Sequence, residues 1–375
     1  MGGGHDGRRR ASGRPRERST VRSVTAAPAI RALDVRKAFG ASVAVDGVDL
    51  VVEAGSLVAL LGPSGSGKTT LLRMIAGFEA PDTGTVEVGG RIVAGPGVWE
   101  EPEKRRVGMV FQDGALFPHL TVDGNVGFGQ PDAARARAAL ELVGLAARGR
   151  SYPHELSGGE RQRIALARAL AMDPEVVLLD EPFAALDAGL RTSLREEVAA
   201  ILREAGASAL LVTHDQQEAM SMADRLVVMR AGRVEQAGSP EEVYARPASR
   251  WSAEFLGAAD VVPGVAAGGE VTCVLGRFPA DPGLSGPVEV VVRPEGVAVE
   301  LADPAIADDP APVARVIGRS FYGHDQLVRL ELADGLVVQS RVGGTAGWRP
   351  GDEVRVRVTG PVSVLTPDHT SNSVE

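Results

Sequence analysis

Apolar runs of two kinds divide the chain into two parts. The runs SLVALLG, EVVLLDEP and ALLVTHD are apolar almost throughout, which is typical of strands buried on both faces of a parallel sheet. Segments with helical spacing, KTTLLRMIAGF and DQQEAMSMADR, follow two of these runs. This order of strands and helices predicts an α/β domain over residues 29–257.

A helical insertion within that domain is predicted at about residues 113–172. Its segments PDAARARAALELVGLAARG and ERQRIALARALAMDP have helical spacing. Further on, SPEEVYARP predicts a short helix with Ser239 as N-cap, Pro240 as the first helical residue and Glu242 completing a capping box. We therefore expect a strand and helix core that carries a separate helical subdomain.

After about Gly257 the composition shifts to Gly, Pro and Val, and the apolar runs become short and alternating, as in VEVVVRP and DEVRVRVTG. This pattern predicts a small all-β, OB-like barrel over residues 281–375, joined through a linker at residues 258–280. Such barrels sometimes bind oligonucleotides. From Ser239 onward, however, 11 arginines and no lysine stand against 19 acidic residues, so we expect no nucleic-acid partner.

Residues 1–28 are rich in arginine and show no periodicity, which predicts a disordered tail. A secretory signal peptide is disfavoured because no apolar segment follows the arginines. A solvated tail or a mis-assigned start is the favoured interpretation. A tether for nucleic acid or anionic lipid is the alternative.

The composition sets further bounds on the class of protein. The 375 residues are 44% hydrophobic and have a formal net charge of −9, which does not favour general binding to nucleic acid. A single cysteine, Cys273, excludes an internal disulfide and fits a reducing compartment. No apolar run approaches the roughly 18–20 residues of a membrane span. If the protein works at a membrane, we expect other chains to span it.

The stretch GPSGSGKT matches the phosphate-loop motif G-x-x-x-x-G-K-[ST] and lies between a predicted strand and a predicted helix. Glycines in the loop let backbone N–H groups close around phosphates at the positive end of the helix dipole. Lys68 is expected to reach the β- and γ-phosphates, and the Thr69 hydroxyl to ligate Mg²⁺. The predicted nucleotide-binding residues are Gly62, Pro63, Ser64, Gly65, Ser66, Gly67, Lys68, Thr69 and Thr70.

Two adjacent carboxylates end the apolar run VVLLDEP. Asp180 is placed to hold Mg²⁺ through water, and Glu181 is placed to orient and deprotonate an attacking water. The alternative is a solvated strand end without function. It is disfavoured because an apolar strand would not place two charges at the sheet edge without a cation nearby.

The stretch LSGGERQR opens a second helix with a glycine-rich turn, and Ser157, Gly158 and Gly159 form another anion-binding end there. The phosphates held by Lys68 are already surrounded by their own loop. The simplest use of this second end is therefore to bind the γ-phosphate held by another copy of the chain. The sequence predicts a homodimer with two ATP molecules sandwiched head to tail.

These motifs, in this order, resemble the ATP-binding subunit of an ABC transporter over roughly residues 30–257. The resemblance implies that Gln112 touches Mg²⁺ and the attacking water, and that His214 contacts the γ-phosphate. It also implies that Asp187 crosses the dimer interface and that Phe39 stacks on adenine. The cofactors implied are ATP and Mg²⁺.

The chain departs from the family's pattern at three positions. Ala184 stands where the family usually has serine, so one hydroxyl contact across the interface is missing. Glu160 and Arg161 replace a commoner glutamine pair. None of the three is expected to change the core chemistry.

The C-terminal part resembles the regulatory domain of importer ATPases, which implies a peripheral protein on the cytoplasmic face of the cell membrane. The implied partners are integral membrane permease subunits and, indirectly, an extracytoplasmic solute-binding protein. The stretches AGFEAPDTG and CVLGRFP are most similar to the ferric-iron importer branch. Spermidine/putrescine, sulfate and maltose branches stay open as alternatives. A soluble ABC ATPase acting on nucleic acid or ribosomes is the alternative class.

Overall fold

The computed structural model describes residue 2 and residues 27–130, 132–302 and 310–366. The predicted disordered tail, residues 1–28, therefore lies almost entirely outside the described residues. The strands are β1 (Ile30–Phe39), β2 (Ser42–Val52), β3 (Leu57–Leu61), β4 (Thr83–Val88), β5 (Arg91–Gly95), β6 (Val98–Trp99), β7 (Val107–Val110), β8 (Val176–Asp180), β9 (Ala209–Thr213), β10 (Arg225–Arg230), β11 (Arg233–Gly238), β12 (Asp260–Ala267), β13 (Glu270–Cys273), β14 (Gly276–Pro279), β15 (Gly286–Val292), β16 (Val297–Leu301), β17 (Val313–Phe321), β18 (Asp325–Leu332), β19 (Val337–Gly343), β20 (Glu353–Val358) and β21 (Val362–Leu365).

The helices carry most of the remaining regular structure. They are α1 (Lys68–Ala76), α2 (Val122–Val126), α3 (Ala133–Leu142), α4 (Gly158–Ala171), α5 (Ala188–Glu204), α6 (Gln216–Met222), α7 (Pro240–Ala245) and α8 (Arg250–Phe255). Helix α7 begins with the predicted capping box, in which the Ser239 hydroxyl accepts from the N–H of Glu242. Among the described residues, no helix is both long and apolar enough to cross a membrane.

The centre of the first domain is a six-stranded sheet with the order β11-β10-β3-β9-β8-β7. Its strands run parallel except for β11, which pairs antiparallel with β10. Along β3, Leu57 and Leu61 face a core formed with helices α4 to α6, whereas Val58 and Leu60 face a core formed with α1. A five-stranded antiparallel sheet, β2-β1-β4-β5-β6, lies on the α1 side. The sequence prediction of doubly buried strands is confirmed.

The carboxyl ends of the parallel strands bring the candidate residues to one edge of the sheet. The phosphate loop follows β3, Glu181 follows β8 and His214 follows β9, and these three strands are neighbours. Gln112 follows β7, the next strand outward. Ligands of open α/β sheets bind at this edge, because loops from adjacent strands meet there.

A buried asparagine orders the start of the helical subdomain. Asn125 in α2 is fully buried, and its amide oxygen accepts from the N–H of Phe117 at 2.7 Å. Its amide nitrogen donates to the carbonyls of Phe117, Leu120 and Thr121 at 3.1–3.2 Å. This one side chain therefore holds the segment that follows Gln112 against α2.

The C-terminal domain consists of two five-stranded antiparallel sheets, ordered β14-β13-β12-β15-β21 and β16-β20-β17-β18-β19. Their inner faces share one apolar core, to which Val262, Val290, Val328 and Leu330 contribute. The predicted all-β, OB-like class is confirmed.

The prediction of a linker at residues 258–280 is wrong. Strands β12, β13 and β14 occupy most of that range, and Val262 and Val271 are buried in the domain core. The turn between β12 and β13 is made by Gly268 and Gly269, both with positive φ, so the glycines close a hairpin. Composition alone pointed to a linker because this hairpin is short and rich in glycine.

One buried arginine joins the two domains. Arg293 follows β15 directly and is 7% exposed. Its guanidinium donates to the carbonyls of Ala253 at 2.8 Å and Ala258 at 3.1 Å. The guanidinium also donates to the Tyr244 carbonyl and lies 4.1 Å from the centre of the Tyr244 ring. Burial and the hydrogen bond to Glu295 raise the pKa of Tyr244 to about 12, so its hydroxyl stays a donor even in mildly alkaline solution.

We predict that Arg293→Met loosens the C-terminal domain from α7 and α8. The substitution leaves several buried carbonyls without a donor, which should lower the free energy of unfolding by about 2–4 kcal/mol. Limited proteolysis should then cut near residues 246–258 faster than in the wild type. Arg349→Met, at an exposed arginine, is the matched control and should change neither result. An unchanged digestion pattern for Arg293→Met would contradict the assignment.

Candidate active site

The phosphate loop is held in place by close approach to neighbouring backbone. A Cβ added at Gly62 would lie 2.4 Å from the Met229 carbonyl oxygen, and one at Gly67 would lie 2.2 Å from the Ala44 carbonyl oxygen. Gly67 also has φ of 101° at the start of α1, a conformation that favours glycine. The loop can therefore contain only glycine at these two positions.

The ammonium of Lys68 is buried at the base of the loop. Its Nζ donates to the carbonyls of Gly62 at 2.8 Å and Pro63 at 3.0 Å. Burial lowers the pKa of Lys68, while the negative charges of Glu181 and Asp180 raise it. The pair of carboxylates and the lysine thus lie close enough to interact, as expected of groups that share one phosphate and cation site.

The buried hydroxyl of Ser66 indicates that the loop fits a polar ligand. Among the described residues, Ser66 Oγ is buried without a hydrogen-bond partner. A buried hydroxyl without a partner costs free energy, and phosphate oxygens or ligands of a bound cation supply such partners. The exposed side chains of Ser64 and Thr69 border the same loop.

A carboxylate and imidazole pair lies beside the loop. His214 Nδ1 is 3.1 Å from Glu181 Oε2, and the Glu181 N–H donates to the carbonyl of Val212 at 2.9 Å. Glu181 has φ of 45°, which a non-glycine residue adopts only at some cost in free energy. Burial raises the pKa of Asp180, the Glu181 charge adds to this, and Arg73 and Lys68 oppose it.

Gln112 and Asp187 lie on a common cavity of about 270 Å³ beside helix α4, which the stretch LSGGERQR opens. Gly158, Arg161 and Leu186 also line it. Asp187 is the N-cap of α5, and its Oδ1 accepts from the N–H of Leu190 at 2.9 Å. The structure therefore places the predicted water-sensing and interface residues together.

Ser157 is the N-cap of α4 and belongs to a capping box that the sequence analysis did not predict. Its Oγ accepts from the N–H of Glu160 at 3.2 Å, and Glu160 Oε2 accepts from the N–H of Ser157 at 2.8 Å. The hydrogen bond from the Ser157 backbone lowers the pKa of Glu160, which also pairs with Arg148. The spacing S-x-x-E is the signal that could have revealed it.

Phe39 lies at the end of β1 with 51% of its surface exposed. The Lys37 ammonium lies 5.3 Å from the centre of its ring. The exposed face of the ring leaves room for a flat group to stack, but its adenine contact stays a prediction.

A buried network around His214 was not anticipated from the sequence. It joins Thr213, Asp215 and Glu218 to Arg195 of α5. No short sequence motif indicates this network, because its members lie on two helices and at a strand end. Arg195 and Glu218 are 23 residues apart in the sequence.

The phosphate loop after a buried strand, with a carboxylate pair at the end of another strand of the same parallel sheet, defines a P-loop ATPase. Helix α4 opens with LSGGE and lies beside Gln112, which narrows the class of P-loop ATPase to the ATP-binding cassette proteins.

Comparisons with known proteins agree with this class. A family model described as "ABC transporter" matches residues 45–184, and one described as "TOBE domain" matches residues 290–364. The Fe(3+) ions import ATP-binding protein FbpC 1 of Rhodococcus jostii (strain RHA1) is 48% identical over 337 residues, which cover 87% of this chain and 95% of that protein. The FbpC protein of Serratia marcescens is 44% identical over 339 residues, covering 88% and 97%.

Two solved structures share the fold of the first domain. A nucleotide-free ATP-binding cassette from an ABC transporter has a TM-score of 0.55 and 26% identity, covering 61% of this chain and 98% of that one. The structure of cbiO1 from Clostridium perfringens, described as part of the ABC transporter complex cbiONQ, has a TM-score of 0.53 and 27% identity, covering 58% and 91%.

The chain belongs to the family of ABC transporter ATP-binding proteins, and within it to the Fe(3+) ions import ATP-binding proteins. It is an ATPase that binds ATP.

We predict that Glu160→Gln lowers the KM for ATP about two- to fivefold. Glutamine preserves the capping box but removes a negative charge from the helix end that is expected to face a phosphate. A charge at a helix end changes the binding free energy by about 0.3–1 kcal/mol. Steady-state ATPase assays at low ionic strength measure it, and added salt should shrink the difference. Glu155→Gln is the matched control, since Glu155 serves the neighbouring capping box through the N–H of Tyr152. An equal effect of both substitutions would refute the electrostatic reason.

Proposed function

We propose that this chain is the ATP-hydrolysing subunit of a ferric-iron importer. The observation that carries the ATPase part is the cluster at the sheet edge, where Lys68, Asp180, Glu181 and His214 meet. The cargo is inferred from relatives that are 47–48% identical and bear the name Fe(3+) ions import ATP-binding protein.

The active form in this proposal is a homodimer. The N-terminus of α4, capped by Ser157, lies next to Gln112 and Asp187, on the cavity of about 270 Å³. A γ-phosphate presented by a second copy would accept hydrogen bonds from the N–H groups that follow Ser157, with the helix dipole favouring its charge. Each site is then completed by its neighbour, and ATP binding closes the dimer.

The residues that would hold Mg²⁺ are Thr69, Gln112 and Asp180, all of them oxygen donors as this cation prefers. The ion supplies electrostatic stabilisation of the charge that develops on the transferring phosphoryl group.

The chain's own side chains supply positioning and proton transfer. Glu181 Oε2 is held by His214, which leaves the other carboxylate oxygen free to orient the attacking water and accept its proton. Lys68 exchanges its two carbonyl partners for phosphate oxygens when ATP binds. Phe39 stacks on the adenine, and Asp187 contacts the opposite protomer.

The surface that docks the permease is proposed to comprise two aromatic pairs, Phe78 with Phe111 and Phe117 with Phe128. The rings of Phe117 and Phe128 lie 4.4 Å apart, and those of Phe78 and Phe111 lie 6.4 Å apart. Phe78 and Phe128 are more than half exposed, which favours contact with another chain. Because Phe111 precedes Gln112 directly, the pair of Phe78 and Phe111 can relay closure of the active site to a permease loop on the cytoplasmic face of the membrane.

We predict that Glu181→Gln lowers kcat by about 10²-fold or more, because the amide cannot accept the water proton. ATP affinity should stay within about threefold, and the dimer should remain closed with ATP on size-exclusion chromatography. Glu196→Gln, at an exposed glutamate of α5, is the control and should hydrolyse ATP normally. Wild-type turnover by Glu181→Gln would remove its catalytic role.

We predict that Phe128→Ser weakens capture of the permease about tenfold or more while basal ATPase activity is retained, because an exposed aromatic contact is lost. Co-purification from membranes and stimulation of the ATPase by permease measure this. Phe321→Ser, at a ring on the C-terminal domain that is 61% exposed, is the control. Equal losses for both variants would contradict the proposed docking surface.

The cargo is tested by uptake of radiolabelled ferric iron in a strain that lacks this chain. The proposal expects uptake to fall and to return with the wild-type chain but not with Glu181→Gln. Undiminished iron uptake together with lost spermidine or sulfate uptake would assign the subunit to another importer. Stimulation of ATPase activity by DNA or RNA would favour a role outside transport.

A further inference from the structure

Thr213 and Asp215, the residues on either side of His214, are both held by a buried polar network. Thr213 Oγ1 donates to Glu218 Oε2 at 2.6 Å and accepts from the N–H of Asp215 at 3.0 Å. Asp215 Oδ1 in turn caps α6 by accepting from the N–H of Glu218 at 3.1 Å. The backbone of His214 is thus fixed on both sides, while 55% of its side chain remains exposed.

Arg195 closes the network from α5. Its Nη2 donates to Asp215 Oδ2 at 3.1 Å and to Glu218 Oε1 at 3.4 Å. The side chains of Arg195 and Glu218 are only 7% and 3% exposed. A charge pair this deeply buried lacks the screening that makes surface ion pairs weak, so each partner depends strongly on the other.

The same helix reaches the segment that begins at Asp187. Arg191 Nη2 donates to the Leu186 carbonyl at 2.9 Å, and its Nη1 lies 3.7 Å from Asp215 Oδ2. Asp187 caps the first turn of α5. One helix therefore contacts both the residue beside His214 and the residue before Asp187.

We propose that Arg195, Glu218 and Thr213 are positioning residues that hold His214 at Glu181 and tie it, through α5, to the interface segment at Asp187. The inference rests on the proposed role of His214 and goes beyond it by naming the groups that set its position. Their contribution is to keep the His214 Nδ1 to Glu181 Oε2 distance at 3.1 Å while the imidazole itself stays accessible.

The test is a double-mutant cycle with Thr213→Val and His214→Ala. Valine matches threonine in shape and lacks the hydroxyl, so it removes two hydrogen bonds of the network with little change in volume. Single-turnover hydrolysis of labelled ATP by the full chain measures rates even in slow variants. We expect Thr213→Val to slow hydrolysis about tenfold in the wild-type background and less than about twofold in the His214→Ala background.

Two further variants separate positioning from general stability. Thr213→Ser keeps the hydroxyl and should restore the rate to within about twofold of wild type. Arg203→Ala removes a different contact between α5 and α6, the donation of Arg203 Nη2 to the Met222 carbonyl at 3.1 Å. It should lower the thermal midpoint without the catalytic loss. ATP affinity, measured with a fluorescent analogue, should be unchanged in all of them.

The charge pair is tested by replacing both partners at once. The double variant Arg195→Met, Glu218→Met leaves no unpaired buried charge, so it should fold. It should nevertheless hydrolyse ATP as slowly as Thr213→Val does. Wild-type turnover by this double variant would overturn the proposal.

The outcomes distinguish this inference from the proposed function. If His214→Ala is slow while Thr213→Val is as fast as wild type, only the positioning role is overturned. Equal slowing by Thr213→Val in both backgrounds likewise overturns it, since the residue would then not act through His214. If His214→Ala itself turns over at the wild-type rate, the role proposed for His214 falls, and the positioning role falls with it.

Discussion

The close packing of the phosphate loop against neighbouring backbone is the constraint on which the rest of the structure depends. The Met229 and Ala44 carbonyls leave no space for side chains at Gly62 and Gly67, and the N–H of Gly232 donates to the Ser66 carbonyl at 3.0 Å. The loop is thereby fixed at the end of β3. Everything else at the site is positioned relative to that loop by the strands that run beside β3.

Parallel strands turn this local constraint into a shared active site. Asp180, Glu181 and His214 reach the loop because β8 and β9 end at the same edge as β3. Contacts between the site and the more distant residues are made by helices rather than strands. Helix α5 is capped by Asp187 and contacts Asp215 through Arg195. In the proposed network, this helix would couple movement at the predicted dimer interface to the imidazole beside Glu181.

The sequence predicts most of this arrangement, and the reasons for the exceptions are physical. Apolar runs and the motif from Gly62 to Thr69 have strong local signals, so the strands, the loop and the Ser239 cap were predicted correctly. The strands within residues 258–280 were predicted wrongly as a linker, because glycines are common in turns as well as in linkers. The pair of Arg195 and Glu218 could not be found, since charged residues at helical spacing usually face solvent and only tertiary packing buries these two.

The central claim, that each active site is built from two copies of the chain, is tested most directly by mixing two inactive variants. Lys68→Ala damages the phosphate loop, and Ser157→Arg blocks the helix end that the partner should supply. A mixed dimer would pair one doubly damaged site with one intact site, so ATPase activity should return on mixing. If each chain builds its own site, both kinds of chain stay inactive together, and no recovery at any ratio would contradict the account.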